Sequence, residues 1–510
     1  MTESQSVPCM QTAAAEFDPA GIHWHYLSAE GRAWLEALPT QQPPATVVKT
    51  SVRRWVRRFA PGVYLKEVHY RGLRALAKTF TGGNACHEGA VLLRLDQRGI
   101  TVPEVLAFGS ERRFGILSRD ILITKEVAAN QSLLQFMQEV YPHLEFRAKA
   151  RVAADFADFI RNLHDRGVIQ RDLHIDNLLV RPTPAGTGFV LLDAQRVTIK
   201  AGSLTVSDRI MNLAVLLCNF WNLTGATQCF RFLRHYGVNW ESAADRLRLN
   251  RIKHLALALS RRSWDAHARQ SLASNAHFVK QHSDGFNIYR MRRDDAARVL
   301  GRLLPDPDRV LDQGVILKDG RTVKAARVDI DGRRYFLKRY NCKGWGYRLR
   351  NAMRRSRAKR TWLNTWGFRL RHAPVPEPLI CLEQRRLRLL ERSYLLSQYV
   401  ADARPLNHVW DELDEPLRET TIIHIAMLLG RIHCFGGAHG DLKWNNLLTT
   451  IHNGKPEVIF SDLDGSRMIP GAGRLKRLKD VKRFLRDLEE RDRAGHYREM
   501  FVRTWQRWAR

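Results

Sequence analysis

The sequence predicts an α+β chain built from two repeated halves, each a small β-rich lobe followed by a larger, mostly helical one. Three observations carry this prediction. The string Gln170-Arg171-Asp172-Leu173-His174-Ile175-Asp176-Asn177 returns late in the chain as His439-Gly440-Asp441-Leu442-Lys443-Trp444-Asn445-Asn446. A strand pattern ending in lysine, Val63-Tyr64-Leu65-Lys66, returns at almost the same separation as Tyr335-Phe336-Leu337-Lys338. Finally, at one fixed distance after Asp172 and after Asp441, a second aspartate closes an apolar strand: Asp193 after Phe189-Val190-Leu191-Leu192, and Asp462 after Val458-Ile459-Phe460-Ser461. Matches in the same order at nearly constant offset mark an internal duplication.

The elements between these markers repeat as well. Val102-Pro103-Glu104 recurs as Val375-Pro376-Glu377, and the apolar strand Leu122 to Val127 recurs as Leu395 to Val400, the two pairs sharing one offset. Val152, Phe156, Ile160 and Leu163 recur at helical spacing, as do Ile422, Ile425, Leu429 and Ile432. Each helix ends in a histidine, His164 or His433, at the same short distance before the loop aspartate; both are expected to pack and hydrogen-bond rather than act as bases. The expected organisation is an N-terminal extension at 1–44, a first domain at 45–275, a linker at 276–304 and a second domain at 305–510. The extension should hold a short helix near Ala33 and a turn at Pro43-Pro44. Breakers at Ser283-Asp284-Gly285 and Pro305-Asp306-Pro307 mark the join.

A chain of 510 residues with 44% hydrophobic content has length and apolar mass for two or three domains. Its 83 basic and 52 acidic residues leave a net charge of +31, which points to polyanionic partners: nucleic acid, an anionic membrane or a phosphorylated glycolipid. No nucleic-acid fold signature is present, so nucleic acid is not the expected partner. Two basic–aromatic strings, 53–59 and 343–360, are candidate contacts for an anionic surface; the second is rich in arginine and lysine and holds no acid. The seven cysteines are widely spaced and include no Cys-x-x-Cys pair, as expected in a reducing cytoplasm rather than a disulfide framework or zinc site. His23 and His25 read as surface residues, not metal ligands. The most apolar segment, Ile210 to Leu223, is too short to span a bilayer and reads as a buried helix.

An aspartate followed five positions later by asparagine is the catalytic-loop pattern of kinases. Phosphoryl transfer needs positioning and charge neutralisation: a strand lysine on the phosphates, a helix glutamate to orient it, two oxygen ligands for Mg2+, and a carboxylate facing the acceptor hydroxyl. The first half offers Lys66, Glu88, Asn177, Asp193 and Asp172 for these tasks. The second offers Lys338, Asn446, Asp462 and Asp441, with Lys443 placed to meet the γ-phosphate. ATP and Mg2+ are the expected cofactors. The helical segment from Arg354 to Trp362 contains no acid, so the second half lacks the helix glutamate. Asp464 is a further carboxylate beside Asp462 and a second candidate for the metal. The glycine-rich loop is poor in both halves: Gly62 alone in one, and hairpin-like Asp319-Gly320 and Asp331-Gly332 in the other.

With these residues in place, the chain resembles the bacterial lipopolysaccharide core kinases, a protein-kinase-like family that phosphorylates heptose or Kdo sugars of the inner core. The resemblance rests on Leu163 to His174, Ile432-His433 with His439 to Lys443, Phe189 to Arg196, and Tyr335 to Tyr340. It covers most of both halves but not residues 1–44. It departs at Gln170, where the family has histidine, and at the absent helix glutamate of the second half. The resemblance implies two tandem kinase-like domains and an alcohol-group phosphotransferase. Its acceptor would be an anionic glycolipid of the lipopolysaccharide core, met in the cytoplasm at the inner face of the inner membrane. The backbone from Leu122 to Val127 would receive adenine. A pseudokinase assembly, or a kinase for a protein or soluble small molecule, stays open beside this reading. The first domain is the better equipped.

Overall fold

A computed structural model describes residues 21–38, 46–51, 53–59, 62–128, 131–171, 173, 175–184, 186–239, 241–342, 344–350, 352, 354–387, 389–452, 455–468, 474–492 and 494–509. The first half opens with β1 (His23–Leu27), α1 (Ala29–Ala37), β2 (Thr46–Ser51), β3 (Arg54–Phe59) and β4 (Val63–His69). It continues with α2 (Leu73–Thr81), α3 (Asn84–Gln97), β5 (Val105–Arg113) and β6 (Ile116–Lys125). The strands form one antiparallel sheet in the order β1-β5-β6-β4-β3-β2. The two-residue period of a strand sends Leu65 to the face shared with Leu35, Phe59, Leu106 and Ile121, and Lys66 to the opposite face, where α3 lies.

α3 has no side-chain cap of its own; its N-cap is Gly83. Asp120 of β6 supplies the acceptor from across the sheet, taking Ala85 N–H at 2.6 Å and Cys86 N–H at 3.1 Å. A carboxylate at a helix N-terminus satisfies orphan donors and meets the positive end of the helix dipole. A side chain at residue 83 would begin 2.1 Å from the Asp120 carboxylate, so only glycine fits that approach.

The first half continues through β7 (Gln131–Ser132), α4 (Leu133–Gln135), α5 (Phe146–Asp165), β8 (Val168–Gln170), β9 (Leu178–Thr183), β10 (Gly186–Leu191) and β11 (Val197–Ile199). Two long helices follow, α6 (Val206–Tyr236) and α7 (Ala243–Gln270). Ile210, Leu213, Leu217 and Phe220 of α6 are buried, as the apolar run predicts. No helix among the described residues is long and apolar enough to cross a membrane.

The second half begins with β12 (Phe278–Ser283), β13 (Phe286–Met291), α8 (Asp294–Leu303), α9 (Pro307–Asp312), β14 (Val315–Gly320), β15 (Val323–Ile330) and β16 (Arg333–Tyr340). α10 (Gly344–Arg350), α11 (Arg357–Arg369), β17 (Pro378–Arg386) and β18 (Leu389–Gln398) complete the lobe. Its antiparallel sheet runs β12-β13-β17-β18-β16-β15-β14, the first sheet's order with one strand added at an edge. Lys338 pairs with Leu395 just as Lys66 pairs with Leu122. The helical lobe contains β19 (Arg404–Pro405), α12 (Leu406–Val409), α13 (Glu415–Cys434), β20 (Gly437–Ala438), β21 (Leu447–His452), β22 (Lys455–Phe460), β23 (Arg467–Met468), α14 (Arg474–Glu489) and α15 (His496–Ala509). Ile422, Ile425, Leu429 and Ile432 of α13 are fully buried there.

Several sequence expectations change. Residues 276–304 are not a linker, because β12 and β13 hydrogen-bond into the second sheet. The 1–44 stretch contributes β1 to the first sheet and Leu35 to its core, with the expected helix near Ala33 present as α1; the Pro43-Pro44 turn lies outside the described residues. String 53–59 is largely β3, in which Arg57 is buried against Glu67, Phe59 is core and Arg58 pairs with Glu126, so it is not an open basic patch. In string 343–360, Trp345 is exposed, but Arg357 and Lys359 are engaged by Asp464 and Tyr289.

The chain divides into two compact units, residues 1–136 with 159–204, and residues 137–158 with 205–510. The boundary does not fall at 275. α7 belongs to the second unit because Trp362 donates to the Ser271 carbonyl at 3.1 Å and Arg371 to Ser260 at 3.0 Å.

Candidate active site

In the first half, Lys66 of β4 forms a buried ion pair with Glu88 of α3. Burial pushes the Glu88 carboxyl up; Lys66 pulls it back in part, and the Asp193 carboxylate adds to the rise. Asp193 follows β10, and its side chain accepts from Gln195 N–H at 3.0 Å. The Asn177 carbonyl accepts Leu192 N–H at 2.9 Å, tying the loop to the strand before Asp193. Asp172 lies outside the described residues.

The second half repeats the loop-to-strand bond at the matching position. The Asn446 carbonyl accepts Ser461 N–H at 2.8 Å, and the Asn446 amide donates to the Asp441 carbonyl at 2.8 Å. That second bond turns the amide nitrogen inward and leaves Oδ1 as the acceptor for a cation. The Asp441 carboxylate is half-exposed, with Lys443 at 3.1 Å and Arg483 at 3.8 Å. Gly440 sits at φ +87°, and a side chain there would begin 2.3 Å from the Gly465 carbonyl.

The two halves hold their lysines differently. Thr361 of α11 lies as far after Glu88 as Leu395 lies after Leu122, so the helix acid is replaced by a threonine. Lys338 instead meets Asp462 at 2.6 Å and Asp464 at 2.8 Å. Asp464 also accepts from Tyr340 at 2.7 Å, Thr361 at 3.1 Å and Arg357 at 3.1 Å. The position matching Asp464 in the first half is Gln195. The acid has therefore moved from helix to loop: Glu88 with Gln195 in one half, Thr361 with Asp464 in the other. Four donors occupy the Asp464 oxygens, which leaves little capacity for a metal. Asp462, at φ +53° and about one-third exposed, is the carboxylate open to a cation. Burial alone would push Asp462 up, but Lys338 reverses this and holds it below the usual carboxylate range.

The residue that anchors the loop went unpredicted from the sequence. Asp480 of α14 is 1% exposed and accepts His439 N–H at 2.7 Å and Gly440 N–H at 2.8 Å. Its carboxylate also meets His433 Nε2 at 3.1 Å, while Trp505 donates to His433 Nδ1 at 2.9 Å. His433 is thus the neutral Nε2–H tautomer, with burial lowering its pKa against the pull of Asp480. The signal was present: Asp480 is the lone acid in the basic run from Arg474 to Arg483. It shares the buried face of α14 with Phe484 and Leu488.

The departure at Gln170 has a physical explanation. His439 Nε2 bonds the Ser461 carbonyl at 3.0 Å, and Gln170 Nε2 donates to the Asp193 carbonyl. Both side chains brace the loop against the strand that carries the second aspartate, so glutamine performs the histidine's structural task.

The lipopolysaccharide kinase (Kdo/WaaP) family model matches the chain twice, at residues 33–236 and 304–507. Among solved structures, WaaP in complex with acyl carrier protein is 20% identical, with a TM-score of 0.34, covering 47% of this chain and 97% of that one. A streptomycin–ATP–APH(2″)-IIa ternary complex is 12% identical, with a TM-score of 0.30, covering 47% and 90%. No curated protein matches by sequence. Two antiparallel sheets of one strand order, each followed by helices and a loop braced in the same way, agree with the doubled family match, and the chain belongs to the lipopolysaccharide kinase (Kdo/WaaP) family, carrying its domain twice.

Proposed function

We propose that the chain transfers the γ-phosphate of ATP to a sugar hydroxyl of the lipopolysaccharide inner core, heptose or Kdo, and that both halves are built for the chemistry. Family membership supports the kinase reading. The observation that carries the proposal for the second half is the four-donor clamp on Asp464. In this reading Asp464 does for Lys338 what Glu88 does for Lys66, so the missing helix glutamate is a relocation and not a loss.

Asn446 and Asp462 would hold Mg2+, as Asn177 and Asp193 would in the first half; paired hard oxygen donors suit that ion. Bound Mg2+ neutralises charge on the transferring phosphates. The protein's own groups do the rest. Lys338 and Lys66 orient the phosphates. Asp441 and Asp172 accept the proton of the attacking hydroxyl as its oxygen bonds to the γ-phosphorus and ADP leaves. Lys443, beside Asp441, faces the incoming charge.

The test is ADP release and phosphate transfer to purified core glycolipid, for wild type, Asp172→Ala, Asp441→Ala and the double variant. Loss of the proton acceptor should slow its own half by about 10²–10⁴-fold. Two active halves predict residual transfer in each single variant and none in the double. A silent Asp172→Ala with an unaffected Asp441→Ala makes the second half a pseudokinase. Wild type that binds no Mg-ATP removes the enzyme reading.

A further inference from the structure

α2 turns its apolar stripe away from the protein. Leu73, Leu76, Ala77 and Phe80 fall at i, i+3, i+4 and i+7, the spacing that normally faces a core. Here the inward face is Ala75 and Thr79, and the Thr79 hydroxyl accepts Leu117 N–H at 2.9 Å. Leu73 is 86% exposed and Phe80 87%. The same bond ties α2 to the hairpin of β5 and β6, whose tip carries Phe114, fully exposed, with Ile116 beside it. Scattered exposed hydrophobics are ordinary, but a helix stripe and a hairpin tip on adjoining elements make a patch.

The rim of this patch is basic. Residues 71–81 and 112–119 contain Arg71, Arg74, Lys78, Arg112, Arg113 and Arg119 and no acid. Arg113 and Arg119 pair with Glu111, which leaves four cations outside those pairs. The surface is also open: a side chain built at Gly72, Gly82 or Gly115 would meet nothing within 4 Å. Apolar side chains this exposed, with open space at three neighbouring glycines, are unlike the enclosing groove that grips a protein segment. A second copy of the chain would bring like charges together. A bilayer with anionic headgroups complements both the apolar crest and the cationic rim.

We propose that α2 and the Phe114 tip dock the protein on an anionic membrane surface. Leu73, Phe80 and Phe114 enter the headgroup layer while Arg71, Arg74, Lys78 and Arg112 meet lipid phosphates. This surface lies outside both basic–aromatic strings read from the sequence, and its test needs no phosphate transfer, so it stands or falls apart from the kinase reading.

Vesicle co-sedimentation of the full chain decides it, using phosphatidylglycerol–phosphatidylcholine mixtures against phosphatidylcholine alone. Wild type should bind the anionic vesicles only, and less as salt rises. Arg71→Gln, Arg74→Gln and Lys78→Gln should each weaken binding about fivefold. Combined Leu73→Ser, Phe80→Ser and Phe114→Ser should weaken it at least about tenfold, with wild-type melting and nucleotide binding. Phe80→Glu and Phe114→Glu, made singly, replace the triple variant if its melting temperature falls. Equal binding to neutral vesicles, or wild-type binding by the ridge variants, overturns the proposal. So does a ridge variant that changes only self-association or capture of an acidic protein.

Discussion

Replacing Asp464 by asparagine separates the two carboxylates that meet Lys338. Asparagine keeps the shape and one acceptor but removes the charge facing Lys338 and Arg357. A hydrogen bond to a charged group contributes about 1.5–3 kcal/mol and a neutral one about 1 kcal/mol, so the Lys338 contact should lose about 1–2 kcal/mol. Lys338 is 7% exposed, so water does not replace the lost partner. If that contact orients the lysine on phosphate, nucleotide affinity should fall by about 5–30-fold. The assay is ADP binding with and without Mg2+, in a full chain whose first site is silenced by Lys66→Ala. Asp464→Asn should weaken binding equally in both conditions, whereas Asp462→Asn should remove the Mg2+-dependent gain. Adding Thr361→Glu to Asp464→Asn recreates the first half's arrangement and should recover much of the loss. If Asp464→Asn instead shifts the Mg2+ requirement as Asp462→Asn does, Asp464 is a metal ligand and not the relocated partner of Lys338.

Other expectations concern the supports. Asp480→Ala strands three donors, two of them buried, and should cost about 3–6 kcal/mol, read as lost hydrogen-exchange protection at 437–441; unchanged protection would show that the loop is held by something else. Asp120→Ala removes the acceptor at the start of α3 and should cost about 2–4 kcal/mol, seen as a lower melting temperature and faster exchange in 84–97. His267, His424, His433 and His439 all have pKa values lowered by burial, so the unfolded chain binds protons that the folded one refuses. Stability should therefore be full above about pH 6.5 and fall as pH drops below it. His439→Gln, copying Gln170, should keep the bracing bond and flatten that pH dependence in thermal melts; a steeper profile would count against the histidine assignment.

Spacing and periodicity determined a great deal by themselves. The near-constant offset between the halves placed Lys66, Lys338, Asp193, Asn446 and Asp462 on corresponding elements, because strand and helix periods depend only on neighbours in the chain. It also showed that the second helix has no glutamate. Tertiary structure decided what replaces it, since Lys338 and Asp464 are remote in sequence and 2.8 Å apart in space. Asp480, read along the chain, is one acid in a basic run; only packing against His439 and Gly440 makes it the loop's anchor. The basic string at 53–59 fails for the same reason: β3 pairing buries Arg57 and Phe59. The outward stripe of α2 looks in sequence like any core-facing helix, because amphipathic spacing states that a helix has two faces, while the neighbours it meets decide which one is covered.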